Sequence, residues 1–160
     1  MAEAFAGGCF CGRVRYRMTR RPMFIHCCHC RDCQKQTGGA FAINAIIERD
    51  AVTLEPGSAE PVAVTMPTES GRPHDIHRCP ECQTALWSDY GRRRVMVFLR
   101  VSTLDAAHAF PPDVHIFTRS KVPWVTLPPK ARAFEVYYDT PSEWSAESLA
   151  RRAALLGPGR

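Results

Sequence analysis

The sequence predicts a single mainly β domain that ends in a helix, and three observations support this prediction. Short apolar or alternating segments recur along the chain, separated by glycine, proline or polar residues, which is the pattern of strands joined by turns. A longer helical pattern appears only near the C-terminus. The eight cysteines are concentrated in short motifs, which is typical of metal ligands in a reducing compartment.

The predicted elements follow one another without repeats or low-complexity segments. The predicted strands are residues 14–18, 23–25, 40–47, 52–54, 61–65, 74–78, 85–87, 95–101 and 114–117. One helical turn is expected at 34–37, where Gly38 would end it. The C-terminal helix is expected to open at 140–143, with Ser142 as N-cap, and to end at 157–159.

Two expectations concern the last third of the chain. Residues 1–135 are expected to form a zinc-binding domain, and 136–160 a helical extension packed on it or trailing from it. Trp124 lies between two prolines, so we expect it to plug one end of the core; the alternative is a pocket wall.

Composition and charge argue against a membrane-spanning protein and against a nucleic-acid partner. No apolar run is long enough to span a membrane, and the N-terminus lacks signal-peptide features, so a cytoplasmic protein is expected. The formal net charge is +5, but seven thiolates with two Zn²⁺ ions would lower it to about +2. The arginine clusters lack interleaved aromatic residues, and we expect no nucleic-acid partner. The sequence does not indicate an oligomeric state.

Residues 26–33 hold four cysteines and two histidines within eight positions. A core uses cysteine one residue at a time, and closely spaced cysteines rarely meet disulfide geometry. Cys28, Cys30 and Cys33 form a C-x-C-x-x-C motif, which predicts three thiolates on one soft ion, most often zinc. A redox thiol cluster or a disulfide knot is the alternative.

Two further cysteine pairs predict a second site. Cys9 and Cys11 are flanked by glycines, and Cys79 and Cys82 form a C-x-x-C motif of the zinc-ribbon kind, although redox pairs share that spacing. Together the pairs would make a closed, structural four-thiolate site that joins distant segments.

The three-cysteine site has one ligand position left. Such a zinc keeps a net negative charge, so it suits a soft ligand such as a thiol, whose pKa it lowers. Alternatively Cys27, His26 or His29 supplies a fourth ligand, and both sites are structural. Neighbouring residues of an extended strand point in opposite directions, which favours the open site.

These motifs together resemble the glutathione-dependent formaldehyde-activating family, also called CENP-V/GFA-like. The similarity covers about residues 5–127 and rests on 8–16, 28–38 and 79–82, and the later segment 115–124 is also similar to the family's pattern. The resemblance implies an Mss4-like β-tent fold and a carbon–sulfur lyase activity that joins glutathione and formaldehyde into S-hydroxymethylglutathione.

The resemblance also implies two zinc ions per chain. One would be structural, on Cys9, Cys11, Cys79 and Cys82. The reactive ion would be held by Cys28, Cys30 and Cys33, where the family's active site is placed.

Two departures and two alternatives accompany the resemblance. Gln83 follows Cys82 where glycine is usual, so mild backbone strain is expected there, and Cys27 is an additional cysteine that could act as a spare ligand or an oxidation-sensitive thiol. A non-catalytic zinc module for a macromolecular partner, or a metal buffer, are the alternatives to an enzyme. The candidate cations for glutathione carboxylates are Arg31, Lys35, Arg72, Arg100 and Arg119.

Overall fold

Ten strands in two sheets, followed by C-terminal helices, make up the part of the chain that the structure describes, residues 4–157 of a computed structural model. The prediction of a mainly β fold with a C-terminal helix is confirmed. Within these residues, no helix combines the length and apolar character needed to cross a membrane.

The elements are numbered in chain order. The strands are β1 (Phe5–Gly8), β2 (Arg15–Met18), β3 (Phe24–Cys28), β4 (Ala42–Glu48), β5 (Val52–Leu54), β6 (Val62–Met66), β7 (His74–Arg78), β8 (Ala85–Tyr90), β9 (Met96–Arg100) and β10 (Val114–Ile116). The helices are α1 (Arg31–Thr37), α2 (Thr140–Glu143) and α3 (Ala146–Leu156).

The larger sheet has seven strands in the order β10-β3-β4-β9-β8-β7-β6. Neighbouring strands within this sheet pair antiparallel, except that β10 runs parallel to β3. The smaller sheet has the order β1-β2-β5. Because β3 lies beside β10 and β4, residues at its end are surrounded by other strands.

Two apolar clusters form the core. One lies between the sheets, where Tyr16 of β2 meets Trp87 of β8 edge to face, with ring centroids 5.9 Å apart. The other lies between the larger sheet and the C-terminal segment, where Phe24 stacks on Trp144 at 5.4 Å. Cys9 and Cys79 belong to the first cluster, whereas Cys28 and Cys33 belong to the second.

Helix α1 is longer than the single turn predicted from the sequence. It begins at Arg31 because the sulfur of Cys30 caps it, accepting from the backbone N–H of Cys33 at 3.3 Å. Hydroxyl or carboxylate caps are the usual ones, so a cysteine cap is hard to foresee. Gly38 ends the helix in a left-handed conformation (φ 67°), at the predicted position.

The C-terminal helix is interrupted, and the prediction of Ser142 as N-cap is wrong. Asp139 caps α2 by accepting from the backbone N–H of Ser142, and Ser145 caps α3 by accepting from that of Ser148. Gly157 follows α3, and residues 158 and 159, also expected at this end, lie outside the described range.

The C-terminal segment is attached to the larger sheet by polar contacts as well as apolar ones. The Ser148 hydroxyl donates to the Met23 carbonyl at 2.7 Å, and Arg151 pairs with the buried Glu48 at 2.7 Å. The division of the chain at residue 135 stays a prediction. Trp124 does not plug the core, because 75% of it is exposed, so the expectation for this residue is wrong; nor is it among the residues that line the cavity described below.

Candidate metal centres and the adjoining cavity

The two outlying cysteine pairs come together in the structure. Cys9 and Cys11 follow β1, Cys79 and Cys82 follow β7, and all four sulfurs lie within 4.8 Å of one another. The sulfurs of Cys9 and Cys11 are 3.5 Å apart, and those of Cys11 and Cys79 are 3.7 Å apart. Zinc–sulfur bonds of about 2.3 Å in a tetrahedron place sulfurs about 3.8 Å apart, so this group fits a zinc ion.

Local hydrogen bonds stabilise negative charge on two of these sulfurs. Burial raises the pKa of Cys9, but the backbone N–H of Val14, 3.2 Å from its sulfur, and the thiols of Cys11 and Cys79 lower it overall. The hydroxyl and backbone of Thr84 and the backbone N–H of Cys11 lower the pKa of Cys82 to about 5. Thiolates are the form that binds metal.

The strain expected at Gln83 is present. Gln83 adopts a left-handed conformation (φ 60°), which glycine adopts without the clash that a side chain brings. Its backbone N–H donates to the Cys79 carbonyl at 3.1 Å, which closes the turn that carries both cysteines. The site geometry therefore outweighs the local preference of this residue.

Cys28, Cys30 and Cys33 form a separate group. Cys28 ends β3, Cys30 caps α1 and Cys33 lies in its first turn, and the three sulfurs lie within 4.8 Å of one another. No further histidine, cysteine or carboxylate donor of residues 4–157 joins them within that distance. Three soft donors that leave one position open match the pattern of a reactive zinc site.

The proton distribution among these three thiols favours a thiolate at Cys30. Hydrogen bonds from the thiols of Cys28 and Cys33 lower the pKa of Cys30 to about 2, and backbone N–H groups contribute further. The same sulfur–sulfur contacts and burial raise the pKa of Cys28. Without metal, the group therefore resembles one thiolate solvated by two thiols, which is a preformed binding site for a soft cation.

Cys27 and His29 do not complete this group. Instead they meet His115 of β10, with the Cys27 sulfur 3.6 Å from His29 Nε2 and His29 Nε2 3.0 Å from His115 Nδ1. A metal on His29 Nε2 would leave a buried proton on its Nδ1, which has no partner. A hydrogen-bonded histidine pair is thus the favoured arrangement, and the sequence did not indicate that His115 belongs to it.

His26, the third alternative ligand, lines the cavity beside the three-cysteine group but is not part of that group. It is 3% exposed and stacks on Phe98 with ring centroids 5.9 Å apart. Burial, followed by the charge of Arg100, lowers the pKa of His26 to about 4, so the ring is neutral at physiological pH.

A cavity of about 560 Å³ opens next to the three cysteines. Five arginines line it: Arg72, Arg93, Arg100, Arg119 and Arg152. Of the cations proposed from the sequence, Arg31 and Lys35 are not among the lining residues. Arg93 and Arg152 were missed, because only the tertiary fold brings their distant segments to this wall.

The remaining walls combine apolar and acidic groups. Ile46, Phe98 and Ile116 line the cavity, together with Asp32 and Glu69. The C-terminal segment contributes Tyr137, Thr140, Trp144 and Arg152. The cavity therefore offers three sulfurs, an apolar wall and an excess of positive charge, which suits a small anionic molecule that carries a thiol.

Comparisons with known proteins agree with the cysteine motifs. The family model described as glutathione-dependent formaldehyde-activating enzyme matches residues 4–120. No curated protein matches the chain. Among solved structures, a Rhodobacter sphaeroides protein shares 15% identity with a TM-score of 0.44, over 63% of this chain and 88% of its own.

Proposed function

Because the chain belongs to the glutathione-dependent formaldehyde-activating enzyme family, we propose that it is a zinc-dependent carbon–sulfur lyase that joins a small thiol to an aldehyde. Glutathione is the proposed thiol and formaldehyde the proposed aldehyde. The observation that supports this activity best is the three-cysteine group, which has no fourth donor among the described residues and faces a cavity large enough for such a thiol.

Two zinc ions per chain are part of the proposal. Cys9, Cys11, Cys79 and Cys82 would hold a structural ion, since four thiolates leave no open position. The ligands of the second ion would be Cys28, Cys30 and Cys33. When bound there, zinc supplies an electrophilic centre that lowers the pKa of a thiol substrate.

The arginines suit the carboxylates of such a thiol. Glutathione carries two carboxylates and one ammonium group at neutral pH, and arginine binds a carboxylate through two parallel hydrogen bonds. Arg72 and Arg119 are exposed, whereas Arg93 and Arg152 are half-buried, so donors are available at different depths. Glu69, which also lines the cavity, would receive the ammonium group.

The apolar wall would hold the aldehyde close to the thiolate. Ile46, Phe98 and Ile116 offer no competing nucleophile, and water is less favourable beside them than beside the arginines. Confining two small reactants in attack geometry replaces a bimolecular encounter with an effectively unimolecular step. An electron pair of the thiolate sulfur then forms the carbon–sulfur bond while the π-electron pair of the carbonyl moves to oxygen. That oxygen takes a proton from solvent.

The test is catalysis of adduct formation by zinc-loaded protein. Exchange NMR would follow glutathione and formaldehyde entering S-hydroxymethylglutathione with and without the protein. We expect the wild-type protein to accelerate exchange, and Cys30→Ser to reduce it to the rate without protein. Serine is a good N-cap, so this variant keeps the start of α1 while removing one sulfur.

The alternative class of function predicts a different result. A non-catalytic zinc module would retain both ions and give no acceleration with glutathione or with other small thiols. Zinc content of two per chain with no acceleration would therefore contradict the enzyme proposal. One ion per chain in the wild-type protein would contradict the proposed second site.

A further inference from the structure

Arg100 is a buried cation without an acidic partner. It ends β9, lines the cavity and is 6% exposed. One terminal nitrogen donates to the Asn44 side-chain oxygen, and the other donates to that of Gln36 at 2.7 Å. Among residues 4–157 no carboxylate forms an ion pair with Arg100, and its Nε has no hydrogen-bond partner.

Its two acceptors are neutral and fixed in orientation. Gln36 accepts from Arg100 through its oxygen and donates through its nitrogen to His74 Nδ1 at 3.2 Å, which determines the amide orientation. Burial and then the charge of Arg100 lower the pKa of His74 to about 4, so this histidine stays neutral. Hydrogen bonds hold the guanidinium in place but do not neutralise it.

The carboxylates on the cavity wall have other partners. Glu69 lies 3.9 Å from Arg119, and Asp32 accepts from the backbone N–H of Glu69 at 3.1 Å. A buried charge without a counter-charge is strongly unfavourable. The other anionic candidates on the same wall are the sulfurs of Cys28, Cys30 and Cys33.

The charges match when the three-cysteine site is filled. Three thiolates with one divalent ion carry a net charge of about −1. One guanidinium balances that charge, whereas the four exposed or half-buried arginines remain available for a substrate. The remaining Nε–H is a donor that neither Asn44 nor Gln36 uses.

We propose that Arg100 is the counter-charge of the three-cysteine site, so that its guanidinium balances the net negative charge of three thiolates and one divalent ion. This role does not depend on the proposed function.

Zinc affinity tests this role. Chelator competition would measure the affinity of both ions in the wild-type protein and in Arg100→Met, which keeps side-chain length and removes the charge. We expect the ion at the three-cysteine site to bind about 10- to 100-fold more weakly, as for other groups that support a ligand shell. The ion at Cys9, Cys11, Cys79 and Cys82 should bind as in the wild type, which shows that the variant folds.

Arg119→Met is the matched control, because Arg119 lines the same cavity but already has Glu69 beside it. Its zinc affinity at both sites should equal that of the wild type. Wild-type affinity in Arg100→Met, or equal loss in both variants, would overturn the counter-charge role. If Arg100→Met fails to fold, Arg100→Gln replaces it: this neutral side chain should weaken zinc binding at the three-cysteine site in the same way, and wild-type affinity would again overturn the role.

Weaker zinc binding in Arg100→Met together with no acceleration by the wild-type protein would refute the proposed function and leave the counter-charge role standing.

Discussion

The two cysteine groups use the same ligand atom and differ in how the chain supplies it. The four-cysteine group joins two turns whose cysteines Cys11 and Cys79 are 68 residues apart in the chain, and it belongs to the core between the sheets. The three-cysteine group comes from six consecutive residues and belongs to the second core, beside the cavity. The four-cysteine group connects distant parts of the fold, whereas the three-cysteine group faces the cavity.

Because of this difference, losing a metal ligand should have different consequences in the two groups. A metal that joins distant segments offsets a large closure entropy, so its loss should affect the whole fold. A metal held by one short stretch closes only a small loop, which β3 and α1 already hold. Stability should therefore depend on the first group and chemistry on the second.

The largest expected effect is that of Cys79→Ser. Cys79 is completely buried, and its loss removes one of four thiolates from the group that joins the turns after β1 and β7. We expect one zinc ion to be lost and the free energy of unfolding to fall by at least about 4 kcal/mol. Elemental analysis and chemical denaturation measure both; two retained ions would contradict the assignment.

Cys30→Ser should affect stability much less. The serine can cap α1 as the cysteine sulfur does, so the main change is a missing metal ligand. We expect one zinc ion to be lost and the free energy of unfolding to fall by about 1–2 kcal/mol. A loss of stability as large as that of Cys79→Ser would mean that the two groups do not differ in structural role.

The cysteine motifs made both groups predictable because soft donors at short spacing have few other uses. Strands 52–54 and 74–78 have the bounds that alternation predicted. The starts of the helices were harder to predict. Helix α1 begins earlier than expected because the Cys30 sulfur caps it, and Asp139 rather than Ser142 caps α2. Local propensity ranks a cysteine cap poorly, and it does not separate Asp139 from Ser142, because aspartate and serine are about equally good N-caps.

Contacts between distant segments of the chain account for the site residues that the sequence did not predict. His115 meets Cys27 because β10 pairs with β3 in parallel register, and no local pattern encodes that register. Arg93 and Arg152 reach the cavity wall because the tertiary fold brings the segment between β8 and β9 and helix α3 to it. Trp124, by contrast, has the composition of a core residue and remains exposed, because no element packs over it.

The ion pair that attaches the C-terminal segment to the larger sheet gives a test with a smaller expected effect. This test depends on pH and concerns the cavity beside the three-cysteine site. Burial alone raises the pKa of Glu48, but Arg151 and then Arg20 hold it below its ordinary value of 4.5. A lowered folded-state pKa adds stability above pH 4.5, and that stability is lost as the pH falls through the folded-state pKa. The pair therefore contributes fully at pH 7.

Glu48→Gln should thus reduce the free energy of unfolding by about 1 kcal/mol at pH 7 and flatten its decline below pH 4.5. Denaturation at pH 7 and pH 3.5 measures both. Glu55→Gln is the control, since Glu55 pairs with the exposed Arg17 and should cost less than about 0.5 kcal/mol. Because Arg152 and Trp144 line the cavity, Glu48→Gln should also raise the KM for the thiol; equal effects in both variants would contradict this coupling.

The smallest expected effect on zinc binding and catalysis is that of Cys27→Ala, and it decides whether the second site is open. Cys27 is 1% exposed and lies beside His29 and His115, outside the three-cysteine group. Losing its sulfur should cost about 1 kcal/mol of stability and leave both zinc ions, their affinities and the adduct rate unchanged. A lower affinity of one ion would identify Cys27 as the fourth ligand. The two cysteine groups would then both be closed, and the contrast between a structural and a reactive site would disappear.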